Sequence, residues 1–221
     1  MSQPDIRAEE VECFMGFEPY TTLSGRGESL YEDRRSEFLG VAVPVESEAA
    51  ATEFIRSIKK QHPDARHNVW AYTLRSGAER YSDDGEPQGS AGMPVLEVLR
   101  KTGVCDAAVV VTRYFGGILL GTGGLLRAYS GAAKQAIEDA GCVRMIPRSL
   151  LSLTCGYADH QKITLELPRF GAEVDSVDFG GEVSIVISAR SEVAGALSDR
   201  ITEMTAGRVR TVDAGTKYGR E

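Results

Sequence analysis

Apolar residues recur along this chain with several different periods, and each change of period marks an element. Two short runs, 28–33 and 36–44, flank the polar pair Arg34-Arg35. The second run is rich in valine and carries Phe38 and Leu39, so together they predict a β-hairpin. From Ser47 the spacing lengthens: Ala50, Phe54, Ile55 and Ile58 share one helical face over 47–60. Ser47 is placed to cap this helix, and Pro63 closes it because proline cannot continue the hydrogen-bond ladder. Over 67–74, Val69, Ala71 and Thr73 alternate with Trp70, Tyr72 and Leu74, a strand packed on both faces. A polar stretch, 80–94, leads into a helix carrying Val95, Leu96, Val98 and Leu99. Residues 105–112 are almost continuously apolar, as expected of a strand at the centre of its sheet. The glycine-rich segment 113–124 delivers the chain to a helix over 125–140, with Gly141 as its C-cap.

The pattern changes after Pro147. Strand (149–155), helix (159–168), strand (172–178), a Gly180-Gly181 turn, strand (182–189), helix (193–205) and strand (208–213) follow in order. This βαββαβ sequence predicts a ferredoxin-like split βαβ domain, an antiparallel sheet with two helices on one face. The expected organisation is α+β, with one domain over 17–146 and a second over 147–221, preceded by a loose polar leader over 1–16.

Composition narrows the class. The chain has 221 residues, 42% hydrophobic and 26% charged, which is ordinary for a globular protein and excludes collagen, coiled coil and general disorder. No run approaches the roughly 18 apolar residues of a membrane span, and the N-terminus lacks an apolar signal core, so a cytoplasmic location without membrane contact is expected. Cys13, Cys105, Cys142 and Cys155 are scattered without CxxC pairing, which suits reduced thiols rather than a zinc site. A net charge of −7 argues against coating nucleic acid by bulk attraction and leaves only a local basic patch open.

Two segments carry candidate chemistry. Gly116, Gly117, Gly121, Gly123 and Gly124 precede a helix, a layout that either packs tightly or leaves backbone N–H groups open to an anion, with Arg113 and Arg127 able to add charge-assisted bonds. Asp83, Asp84 and Glu86 stand within four positions of one another and form either a polar turn or a site for a hard cation. In the second case His67 would orient water. Arg34, Arg35, Arg66, Arg75 and Arg80 fall near strand ends or loops, and with Tyr72, Tyr81, Tyr114 and Phe115 they offer the arginine and aromatic mixture that suits single-stranded RNA.

Three motifs, His62-Pro-Asp-Ala-Arg-His67, Tyr81-Ser-Asp-Asp-Gly-Glu-Pro-Gln-Gly-Ser-Ala-Gly-Met-Pro94 and Arg113-Tyr-Phe-Gly-Gly-Ile-Leu-Leu-Gly-Thr-Gly-Gly-Leu125, occur in the order seen in the YigZ/Impact family, which the chain resembles strongly over residues 20–140. The resemblance implies a first domain like ribosomal protein S5 domain 2 and a second like elongation factor G domain V. It implies translation-linked regulation, supplies no catalytic residues and calls for no cofactor. The resulting expectation is a non-catalytic protein that binds RNA, the ribosome or a translation-factor protein. Its anion contacts would be Arg66, Arg113, Tyr114, Arg127 and the five loop glycines. A metal-dependent hydrolase of a phosphorylated substrate, built on Asp83, Asp84 and Glu86, and a protein-interaction module using the second sheet are the alternatives.

Overall fold

The computed structural model describes residues 18–221, and the leader expected over 1–16 lies outside them. Two compact units result, Pro19–Ile146 together with Tyr218–Glu221, and Pro147–Lys217.

The first unit runs β1 (Tyr20–Leu23), β2 (Gly27–Asp33), β3 (Ser36–Pro44), α1 (Glu48–Gln61), β4 (His67–Thr73), β5 (Glu79–Ser82), α2 (Gly92–Thr102), β6 (Ala107–Tyr114) and α3 (Gly121–Ala140). An antiparallel sheet in the order β2-β3-β6-β4-β5 forms its centre. Both faces of this sheet are covered, which is why β6 reads as a continuous apolar run: Val109 and Val111 pack under α2 and α3, while Ala108 and Val110 pack under α1. Ser47 caps α1 by accepting the Ala50 amide, as its residue type predicts. On α3, Ala132, Ala136 and Ala140 form a smooth stripe at four-residue spacing, and β2 and β3 approach it closely at Gly27 and Gly40.

Strand β7 (Cys142–Cys155) begins in the first unit, where Cys142–Met145 pairs with β1. The second unit holds the rest of β7, α4 (Tyr157–Glu166) with a 3-10 turn over Leu167–Phe170, β8 (Glu173–Phe179), β9 (Val183–Arg190), α5 (Ser191–Met204) and most of β10 (Val212–Arg220). Its strand order is β10-β7-β9-β8. Leu151, Leu153, Ile185 and Ile187 are buried with Ile163 of α4 and with Leu197 and Ile201 of α5, placing both helices on one face.

Four elements depart from the sequence expectation. Helix α3 begins at Gly121, so three of the glycines form its first turn. Strands β1 and β5 are short edge segments with mixed polarity that carry no periodic signal. The last strand lies at Val212–Arg220 instead of 208–213 because Ala206 and Gly207 adopt positive φ, and the Gly207 amide turns back to the Thr202 carbonyl to end α5.

Candidate anion-binding site

Asp33 and Ser36 pair across the β2–β3 ladder, so Arg34 and Arg35 alone make the turn. Both take left-handed backbone conformations, φ 47° and 64°, as a two-residue hairpin turn requires and as Asn-Gly would adopt with less strain. Both side chains are exposed. The loop ahead of α3 is fastened to this turn. The Gly116 amide donates to Ser36 Oγ at 3.1 Å, and Arg34 Nη1 donates to the Leu119 carbonyl at 3.1 Å. A Cβ on Gly116 would sit 2.0 Å from the Arg35 carbonyl carbon, so only glycine allows this approach.

Beyond Gly116 the loop turns outward, with Gly117 at φ 83° and Gly121 at φ 72°. Among the described residues, no acceptor takes the amides of Gly117 to Leu120, and Leu120 offers α3 no side-chain cap. The amides of Gly121, Thr122 and Gly123 open the helix and have no intrahelical acceptor. Gly117, Gly121 and Gly123 are exposed, so amides without a protein acceptor lie on exposed backbone at a positive helix end.

Two of the five glycines do not belong to that set. The Gly116 amide is already bonded, and Gly124 is buried against Leu120. Arg113 also departs from expectation. Its side chain is buried, and Nη1 donates to Glu86 Oε1 at 2.6 Å, so it forms an internal ion pair instead of meeting an outside phosphate directly. The same Glu86 oxygen accepts the Tyr129 hydroxyl at 2.8 Å, and burial, followed by the Glu86 charge, pushes the Tyr129 phenol well above its usual range. The Arg113 guanidinium also lies over the rings of Phe38 and Phe115, while its buried Nε has no acceptor. Arg66 and Arg127 are exposed; Arg66 borders a cavity of about 530 Å³ beside Arg113, as does Tyr114, whose hydroxyl meets His62 Nδ1 at 2.9 Å.

The metal reading fails on the same geometry. Asp83 accepts the amides of Gly89, Ala91 and Gly92 at 2.8, 3.1 and 2.8 Å and so caps α2. Asp84 divides its oxygens between Lys59 Nζ and the Asn68 amide, and Glu86 turns to Arg113 and Tyr129. Among the described residues, no cluster of three His, Cys, Asp or Glu side chains could hold a metal ion. The carboxylates are close in sequence, yet each serves a different backbone or side-chain partner. Asp83→Ala is expected to lower stability by about 2 kcal/mol, since three amides lose one acceptor, with Asp83→Asn milder. Urea unfolding checks this, and a loss under about 0.5 kcal/mol would contradict the capping role.

His67 Nδ1 meets the Asp84 carbonyl at 2.9 Å, and Asp84 itself has φ 44°. The carbonyl can only accept, so Nδ1 carries a proton and donates it. Burial raises the Cys105 and Cys155 thiols, which keeps them protonated and unsuited to nucleophilic work. Tyr129 and the conformation of Arg34-Arg35 were not singled out from sequence. The available signal for the turn was a two-residue gap between strands filled by Arg-Arg where Asn-Gly is the usual choice.

These features define a mixed α/β protein of two domains, with an Impact N-terminal domain matching residues 34–137 and a domain of unknown function, DUF1949, matching residues 153–208. IMPACT family member YvyE of Bacillus subtilis is 36% identical over 191 residues, spanning 86% of this chain and 88% of that protein. YigZ of Escherichia coli is 32% identical over 180 residues, spanning 80% and 88%. A crystal structure described as that of a hypothetical protein superposes with a TM-score of 0.60 at 30% identity, over 88% of this chain and 97% of the other. The chain belongs to the IMPACT family. No helix among the described residues is long and apolar enough to cross a membrane.

Proposed function

We propose that this protein is a non-catalytic, cytoplasmic, translation-linked regulator that binds RNA, free or on the ribosome, through the surface made by the Arg34-Arg35 turn and the Gly117–Gly123 backbone. One observation carries this reading: two exposed arginines hold left-handed conformations in a turn locked to a loop of unpartnered amides. Left-handed geometry at a non-glycine residue costs roughly 1 kcal/mol or more, and such strain clusters where a site needs it. Here it sets two cations beside a positive helix end, and Arg66, Arg127 and the half-exposed Phe115 extend the surface with charge and a stacking face. On this reading the first unit is like ribosomal protein S5 domain 2. The order β10-β7-β9-β8 with two helices on one face supports a ferredoxin-like second unit, similar to elongation factor G domain V.

Binding of single-stranded RNA across a salt series tests the proposal. About three neutralised phosphates give a log–log slope near −2 for single strands. Replacing the turn residues together, Arg34→Asn with Arg35→Gly, is expected to weaken RNA binding by tenfold or more, as two phosphate contacts are lost, while adding about 1 kcal/mol of stability because Asn-Gly suits the turn. Unchanged affinity in that variant, or salt-insensitive capture of a protein instead, overturns the reading.

A further inference from the structure

We propose that the cavity beside Arg113 is a nucleobase pocket for a guanine nucleotide, either free or as an unstacked residue of RNA. The second source rests on the RNA reading above; the pocket itself does not. The cavity measures about 530 Å³, large enough for a nucleotide, and its rim carries the half-exposed Phe115 and the largely exposed Leu119. An aromatic face open to solvent at the mouth of a cavity is what a flat heterocycle stacks upon.

The polar groups at its floor are unusual in being buried and incompletely paired. Glu86 and Arg113 have side chains only 4% and 7% exposed, and both line the cavity. Glu86 uses Oε1 for both of its donors, leaving Oε2 without a described partner. Arg113 donates only through Nη1, and its Nε finds no acceptor. Arg148, the other deeply buried arginine, offers a contrast: Nε and Nη2 donate to Ser188 Oγ, Gly171 O and Ser188 O, and those bonds are purely internal.

An occupant that completes this floor must bring N–H donors to a carboxylate and an acceptor to a guanidinium on adjacent atoms. Guanine does so along one edge, with N1–H and N2–H₂ beside O6. A carboxylate disfavours uracil, which flanks its single N–H with two acceptor oxygens. Adenine and cytosine offer an amino group but no second donor. His67 lines the same cavity with its Nδ1 held by the Asp84 carbonyl, and Arg66 at the rim suits the phosphate.

The test titrates the full chain calorimetrically with GMP, AMP, CMP, UMP and ribose 5-phosphate, and with single-stranded pentanucleotides containing or lacking one G. GMP is expected to bind at least tenfold tighter than ribose 5-phosphate or UMP. Phe115→Ala is expected to weaken GMP roughly tenfold by removing the stacking face. Glu86→Gln should erase the preference among bases; because it disturbs a buried ion pair, the exposed Phe115 variant carries the decision. Tighter binding of GMP than of the G-containing pentanucleotide identifies a free nucleotide as the occupant, and the reverse identifies RNA; both support the pocket. Equal affinity for the four nucleotides and ribose 5-phosphate, or GMP binding unchanged in Phe115→Ala, overturns it. Arg35→Gly alone, which leaves the Arg34 bond to the Leu119 carbonyl in place, should weaken RNA binding and bind GMP like the native chain, so failure of the RNA surface and failure of the pocket give different results.

Discussion

Glu86→Ala is expected to destabilise the first unit by about 3–5 kcal/mol, the range found when one partner of a buried ion pair is removed. The Glu86 carboxylate is the only described hydrogen-bond partner of the Arg113 guanidinium, and both side chains are shielded from water. Without the carboxylate, a positive charge stays in a poorly solvated place beside Phe38 and Phe115, and the Tyr129 hydroxyl loses its acceptor. Replacing both charges, as in Glu86→Ala with Arg113→Met, should recover much of that loss because no isolated charge remains. Tyr129→Phe should fall between, at about 1–2 kcal/mol, since the carboxylate loses a donor and keeps its counter-charge. The single tryptophan, Trp70, lies in β4 of the same unit, so its fluorescence during urea unfolding reports on this unit. Additive losses in the double variant would mean that the pair is not coupled.

Gly27→Ala should cost about 3 kcal/mol, at the upper end of overpacking effects, because no side-chain rearrangement can absorb it. The added carbon would lie 2.2 Å from both the Ala136 carbonyl oxygen and the Ala140 amide nitrogen. Those atoms belong to the α3 backbone, so either β2 or the helix must move. Gly25→Ala provides the control: nothing lies within 4 Å of its added carbon, and its effect should be close to neutral. Equal losses at the two positions would show that the β2–α3 approach is looser than its geometry implies. Movement of α3 would also shift its first turn, so Gly27→Ala is expected to disturb the loop amides at the far end of the same helix.

Much of the fold was legible because burial repeats with the period of the element. The hairpin over β2 and β3, the Ser47-capped α1, the apolar β6 and the βαββαβ order all follow from spacing and a few residues of special geometry. Strands β1 and β5 were not legible, since four-residue edge segments are held mainly by the strand beside them. The candidate site was legible only in part. Glycines ahead of α3 marked the open backbone, but composition does not say which amides already have acceptors, and Gly116 and Gly124 look like their neighbours in sequence. Asp83, Asp84 and Glu86 resembled a cation site because their proximity along the chain was visible and their partners were not. Those partners, Gly89, Ala91, Gly92, Lys59, Asn68, Arg113 and Tyr129, lie between 6 and 43 positions away.

By itself the amino-acid order determined which stretches bury a face, where helices start and stop, and which family the chain resembles, because these depend on local periodicity and local backbone chemistry. Tertiary structure alone decided that Arg113 would be an internal cation, that Asp83 would cap a helix, and that the Arg34-Arg35 turn would meet the loop before α3. Pairings of this kind depend on distances across the sheet and between helices. Residue types limit which partners are chemically acceptable, and only the packed chain selects among them.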